Sequence, residues 1–275
     1  MLVRVRSLLP RGTCILPLTQ GVPVNAPRSI RPSNLVFVQY LFALAVVDAC
    51  QALDPVKAWA TKVKLKWPND IYGEFPVGEA SERVELKKVG GILVNTNFGG
   101  NTADVIIGMC RSHASRTSYR HSRTDAGCGL NVLNEPPIGS LAQLEALTRG
   151  QGASSGLSVE RVTAAVVTAF ERIWNQFLTE ENDGFYPFMD QYTRSWLHSW
   201  VKRPFLAIIL TESAYRGQTV TLATTEPHTT VRIVGITPDY GLLRTEPLGG
   251  GRYIDLQPDG NSFDMMKGLI KTKTS

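Results

Sequence analysis

The stretch Lys64-Leu65-Lys66-Trp67-Pro68-Asn69-Asp70 is followed by Lys87-Lys88-Val89-Gly90-Gly91-Ile92-Leu93-Val94. The first part alternates apolar and polar residues and ends in a Pro-Asn-Asp turn. It predicts a strand that leaves the core and delivers polar side chains at its end. The second part sets a lysine just before a Gly-Gly pair that opens another apolar strand. Glycines at such a point let backbone N–H groups approach a ligand closely. A carboxylate, an amide and a lysine then converge on bare backbone, an arrangement suited to a small anion or a nucleotide phosphate.

The chain has 275 residues, 43% of them hydrophobic. That supports one medium domain and a smaller one. No apolar run is expected to reach membrane-spanning length; the most apolar, Val36 to Ala49, is short and contains Gln39 and Asp48. Cys14, Cys50, Cys110 and Cys128 show no paired spacing, which fits a reducing compartment and a cytoplasmic location. The net charge of +5 is uneven. Residues 109–127 hold Arg111, Arg116, Arg120 and Arg123 against Asp125, and residues 201–218 hold Lys202, Arg203 and Arg216 against Glu212. These two segments account for the whole excess, so the basic balance does not argue for nucleic acid or membrane.

Three motifs carry a resemblance. Lys-Trp-Pro-Asn-Asp at 66–70, Lys-Val-Gly-Gly-Ile-Leu-Val at 88–94 and Gly-Cys-Gly-Leu-Asn-Val at 127–132 resemble successive motifs of biotin–protein ligases, in wording closest to the fungal type. The resemblance implies an α+β fold. A mixed β-sheet with helices, of the class II synthetase-like biotin/lipoate ligase kind, is followed by a small C-terminal SH3-like β-barrel. It implies ATP-dependent activation of biotin to biotinyl-5′-AMP and transfer to a lysine of biotin carboxyl carrier domains. Acetyl-CoA carboxylase and pyruvate carboxylase are the implied partners. Biotin and ATP are substrates and Mg²⁺ accompanies the ATP; no protein metal site, nucleic acid or membrane partner is implied.

By the same resemblance Lys88 and Asp70 are catalytic. Lys88 stands between two anions, with Lys87 as the solvated neighbour, and Asp70 sits near the acceptor lysine. The binding set is Trp67, Asn69, Lys88, Gly90, Gly91, Gly127, Gly129 and Asn131. Asn69 and Asn131 match amides near the adenylate, the Gly91 N–H would hold the carboxylate, and Trp67 with Pro68 fixes the turn. A lipoate–protein ligase shares the fold and reaction type. A non-catalytic remnant is the other alternative, because the family's Gly-Arg-Gly-Arg loop and following tryptophan are not found upstream.

Taken in order, residues 1–33 hold five arginines, five prolines and no acid. They are expected to be an atypical, disordered leader, with an organelle (mitochondrial) transit peptide as the alternative. Residues 34–200 are expected to be a partial, N-terminally incomplete catalytic domain and 201–275 the small C-terminal domain. Ser33-Asn34 is expected to cap a buried helix from Asn34 to Leu53, ended by Asp54-Pro55. Strands are expected at 63–67, 91–96 and 105–107, with a solvated loop over 73–85 and a hairpin at Gly99-Gly100.

Residues 109–127 break the pattern. A literal reading offers Cys110, His113, His121 and Cys128 as zinc ligands, but the spacing matches no standard finger. The preferred reading is an insertion, an unspliced intron translated in frame; its removal leaves Ile-Ile-Gly-Cys-Gly-Leu-Asn. Residues 201–218 are read in the same way. Ser140 is expected to cap a short helix, 141–147. Ser158 is expected to cap the clearest helix, whose apolar residues from Val159 to Phe177 recur at helical spacing. A second aromatic helix is expected over 185–196, with His198 structural. Short strands at 219–223, 231–236, 242–245 and 253–256 suggest the small barrel. No N-terminal DNA-binding domain of the repressor kind is expected.

Overall fold

The computed structural model describes residues 2–3, 13–15, 18–23, 32–77, 84–99, 102–110, 127–149, 156–179, 184–198, 217–224, 226–258, 261–264 and 267–272. The chain divides into two compact units, Met1–Pro187 and Phe188–Ser275.

Two helices build the core of the first unit. In α3 (Val159–Thr179) the buried residues are Val162, Val166, Phe170, Ile173, Trp174 and Phe177, one stripe at helical spacing. The Ser158 hydroxyl accepts the Arg161 N–H at 3.2 Å and satisfies one of the open donors at the helix start. The second helix, α1 (Val38–Leu53), is apolar nearly all round, and all but a few of its side chains are buried. It packs against α3, where the rings of Phe42 and Phe170 meet at 5.3 Å and Asp48 pairs with Arg172. Burying each such aromatic side chain stabilises the unit by about 1.5–3 kcal/mol.

The entry to α1 differs from expectation. Residues Pro32–Phe37 form a 3₁₀ turn, and no side chain caps the helix at Phe37. The exit is as expected: Asp54 ends the helix, and its carboxylate accepts the N–H groups of Trp59 and Ala60 at 2.7 and 2.8 Å. The whole helical stretch Asn34–Leu53 is long and apolar enough to cross a membrane by length and composition. That corrects the expectation that no run reaches such a length. In the fold, burial against α3 and the sheet accounts for the same composition.

Among the described residues the sheet of this unit has eight strands: β1 (Leu2–Val3), β2 (Thr13–Ile15), β3 (Leu18–Pro23), β4 (Val63–Lys66), β5 (Asp70–Pro76), β6 (Val84–Gly99), β7 (Thr102–Cys110) and β8 (Gly127–Asn131). Their order is β1-β3-β7-β8-β6-β5-β4, with β2 paired to β8. The fold thus extends upstream of residue 34, where the sequence reading began it. Strand β3 pairs with β7, Gln20 opposite Val105, and β2 with β8, Cys14 opposite Leu130.

Of the expected 73–85 loop, six of the seven described residues are also strand. Residues Gly73–Pro76 close β5 and Val84–Glu85 open β6, with Gly73 opposite Lys87 and Phe75 opposite Glu85. Ile71 and Phe75 are buried on the inner face. Of the suspected insertion at 109–127, Met109, Cys110 and Gly127 are sheet residues, and β7 runs parallel to β8 there. Residues 111–126 and 201–216, with His113 and His121, lie outside the described residues. A short helix α2 (Leu141–Arg149) follows. The Ser140 carbonyl accepts the Leu144 N–H at 3.2 Å at the helix start, and the Ser140 hydroxyl donates to the Asn134 carbonyl at 2.8 Å.

Among its described residues the second unit holds a short helix, α4 (Met189–Arg194), and six strands: β9 (Thr219–Leu222), β10 (Thr229–Ile236), β11 (Leu243–Pro247), β12 (Ile254–Leu256), β13 (Asn261–Asp264) and β14 (Leu269–Thr272). They form one sheet in the order β12-β11-β10-β9-β14-β13, antiparallel except for β14 on β9. Val220, Leu222, Val231, Ile233, Leu243 and Ile270 alternate inward. His198 is fully buried between the rings of Trp196 and Phe263, its Nδ1 3.3 Å from Gln218 Oε1.

Candidate functional site

The Pro-Asn-Asp turn is a hairpin, not the free end of a strand. Strand β4 turns through Trp67, Pro68 and Asn69 into β5, which puts Lys66 opposite Asp70 and Lys64 opposite Tyr72. Opposite charges facing across an antiparallel pair stabilise each other. Trp67 is 1% exposed and its Nε1–H donates to the Tyr40 hydroxyl of α1 at 3.1 Å. It therefore anchors the turn to the core. The Asn69 carbonyl accepts the Ile92 N–H at 2.7 Å, which ties the turn to β6.

Strand β6 supplies the lysine and the glycines. Gly91 stands opposite Asp70 and Gly90 opposite Ile71, but Tyr72 faces Lys88, so Val89 is the extra residue of a bulge. Val89 and Gly90 are both buried, and Lys88 emerges on the side of Asp70 and Tyr72. On its other edge β6 pairs with β8, Gly90 opposite Leu130 and Gly91 opposite Gly129. Asn131, the last residue of β8, is half-buried.

The charges meet at Asp70. Lys88 Nζ lies 2.5 Å from Oδ1 and Lys66 Nζ lies 3.5 Å from Oδ2. The side chains are 35% exposed for Lys88, 20% for Asp70 and 13% for Lys66, so the pair opens to solvent mainly at Lys88. The Lys66 ammonium also sits 5.8 Å from the centre of the Tyr72 ring. Burial, and then the Asp70 charge, push the Tyr72 phenol above its usual range, so it stays a neutral donor at physiological pH.

The two glycines differ in what surrounds them. At Gly90 a Cβ would stand 2.8 Å from the Gly129 carbonyl oxygen; backbone packing forbids it. At Gly91 the nearest atoms to a Cβ would be the tip of Lys88 at 3.3 Å and Asp70 Oδ1 at 3.5 Å. Gly91 thus leaves room beside the ion pair that a side chain would take.

Lys88, Asp70, Trp67, Asn69, Gly90, Gly91, Gly127, Gly129 and Asn131 all fall on β5, β6, β8 or the turn between β4 and β5. Lys87 points elsewhere; it pairs with Glu85 at 3.2 Å and lies over the Phe75 ring. Sequence reasoning gave no role to Lys66, Tyr72 or Tyr40. The signal for the first two was present: in a hairpin, Lys66, Asp70 and Tyr72 share one face. Among the described residues no group of three or more His, Cys, Asp or Glu is placed to hold a metal ion. The cations at the site suit an anion instead.

The chain has known counterparts. Residues 18–110 match the model of the biotin/lipoate A/B protein ligase family. Its curated relatives are biotin–protein ligases. One from Homo sapiens is 30% identical over 97% of this chain and 29% of its own length. One from Schizosaccharomyces pombe is 30% identical over 90% of this chain and 34% of its own length. The chain thus spans about a third of the length of these relatives. The apo structure of the biotin protein ligase from Aquifex aeolicus superposes with a TM-score of 0.51 at 17% identity, covering 89% of this chain and 80% of that one. That likeness shows the fold.

Proposed function

We propose that this chain activates biotin with ATP and transfers the biotinyl group to a lysine of a protein carrier domain. The observation that carries the reading is Lys88, an ammonium 2.5 Å from Asp70 and adjacent to the bare Cα of Gly91. In the first step a biotin carboxylate oxygen attacks the α-phosphorus of ATP, and the bond to pyrophosphate breaks. Both reactants are anions. A cation fixed between them lowers their repulsion and stabilises the charge developing on the phosphoryl oxygens. In the second step the acceptor amine attacks the acyl carbon, AMP leaves and the amine loses a proton. Asp70 orients that amine and assists the proton loss.

Asn69 and Asn131 lie at half-buried positions and supply the donor and acceptor pairs that read adenine. Gly90, Gly127 and Gly129 keep the surrounding backbone bare. Mg²⁺ enters with ATP, held through its phosphates. In this reading the C-terminal six-stranded sheet is the SH3-like domain; its short antiparallel strands support that. The carrier domains of acetyl-CoA carboxylase and pyruvate carboxylase are the expected acceptors, and the unpaired cysteine spacing supports a cytoplasmic location.

Biotin-dependent pyrophosphate exchange tests the reading. Lys88→Ala is expected to lower exchange at least about 100-fold, the scale of losing one transition-state electrostatic contact. Near-normal exchange in that variant removes Lys88 from the role. Lipoate displacing biotin at equal concentration would move the reading to a lipoate ligase.

A further inference from the structure

The geometry points to Lys66 as a positioning residue that holds Asp70 so that Lys88 can leave it. The inference rests on the ligase reading for what Lys88 does and on geometry for how Lys66 acts. The two lysines take different oxygens of one carboxylate, Lys88 on Oδ1 at 2.5 Å and Lys66 on Oδ2 at 3.5 Å. They differ in freedom. Lys66, 13% exposed, is enclosed beside the Tyr72 ring; Lys88, 35% exposed, is the more open to solvent. The enclosed lysine is the fixed one and the open lysine the one that moves.

A carboxylate only 20% exposed loses much of its hydration, so separating it from a sole cation is costly. With one lysine alone, Asp70 would tether Lys88 and compete with the anionic substrates for it. A second ammonium on the far oxygen removes that competition in two ways. It keeps Asp70 neutralised after Lys88 swings away, and its positive charge repels Lys88 across the shared carboxylate. The carboxylate also stays aimed for the later step, because the Oδ2 contact does not depend on Lys88.

The test uses the full chain with Lys66→Met, Lys66→Arg, Asp70→Asn and the Lys66→Met/Asp70→Asn double variant. The first readout needs no substrate: trace acylation of Lys88 by acetic anhydride, followed by peptide mass analysis. Lys66→Met is expected to lower Lys88 labelling about threefold, the scale of one partly exposed ion pair, and Lys66→Arg to restore it. In the Asp70→Asn background, removal of Lys66 is expected to change labelling by less than about 1.5-fold, since the shared carboxylate is gone. The second readout is pyrophosphate exchange, where Lys66→Met is expected to lower kcat by a similar factor. Unchanged Lys88 labelling in a folded Lys66→Met chain overturns the inference. So does an exchange defect of the same size in both backgrounds, which would mean that Lys66 touches substrate directly. The expected labelling pattern in a chain that makes no adenylate supports the inference and overturns the ligase reading instead.

Discussion

Gly90 and Gly91 are neighbours in one strand, yet alanine at each should fail in a different way. At Gly90 the new Cβ would stand 2.8 Å from a backbone oxygen of β8, with Leu130 Cδ1 at 3.2 Å and Ile71 Cδ1 at 3.5 Å. A backbone atom cannot rotate aside, so β6 and β8 must separate. Overpacking of this kind costs about 1–3 kcal/mol. The stiffer unfolded chain offsets about 0.4–1 kcal/mol of that. A net loss of about 1–2 kcal/mol follows, a fall in Tm of about 3–6 °C for a unit of this size.

At Gly91 the same offset applies, but the neighbours are the ends of Lys88 and Asp70 at 3.3 and 3.5 Å, which can swing away. Gly91→Ala should therefore keep its Tm within about 1 °C of the unsubstituted chain. It should lose pyrophosphate exchange by about tenfold or more, because the space beside the ion pair is filled. Thermal melts of both variants, run beside exchange assays, decide the matter. A Gly90→Ala chain as stable as the parent, or a Gly91→Ala chain less stable than it, would refute the reasoning.

Three further outcomes are expected. Trp67→Phe removes the donor to the Tyr40 hydroxyl and leaves a small void, and should cost about 1–3 kcal/mol in urea unfolding; an unchanged midpoint would show that the turn is held by other means. Burial, with Asp54 second, pushes the Cys50 thiol up to about 12. Its folded value lies above the unfolded value of about 8.5, so its contribution is complete below that pH and is lost as pH rises toward 12. Between pH 8.5 and 10 the parent should lose about 2 kcal/mol more than Cys50→Ala, with Tyr72 adding a smaller fall in the same direction in both chains; parallel curves would exclude the effect. Finally, a cDNA read across codons 104–221 should lack codons 109–127 and 201–218 if the two segments are intronic, and a message that contains them shows both to be genuine coding sequence.

The helices were legible from sequence because their information is local. The apolar stripe of α3 and the Ser158 cap lie within a few turns of each other. The strands were harder where their partners are distant. Nothing in the Arg- and Pro-rich start announces β2 and β3, whose pairing depends on Leu130 and Val105 far along the chain. Strand β5 was hidden by Gly73, which breaks the visible alternation of Ile71 and Phe75. A side chain there would come within 2.8 Å of Phe75 and 2.9 Å of Leu144, so packing explains the glycine that reads locally as a loop signal. At the site, Lys88 and Asp70 could be named, but Lys66 could not. Its relevance appears only when the turn folds back and sets it across from Asp70.

The bulge at Val89 has a consequence for how this lysine can be located in related chains. Lys88 shares a face with Gly91 although three positions separate them, because Val89 takes no partner in β5. Loss of that one residue would close the bulge and restore strict alternation, with Lys88 still across from Tyr72. Gain of a residue there could be absorbed by the same irregularity. Distance along the chain from the Gly-Gly pair is therefore a poor ruler. An alignment that counts back a fixed number of positions can name the wrong lysine of an adjacent pair. In this chain the dependable landmark is the cross-strand neighbour: Lys88 is the lysine that faces Tyr72, two places after Asp70.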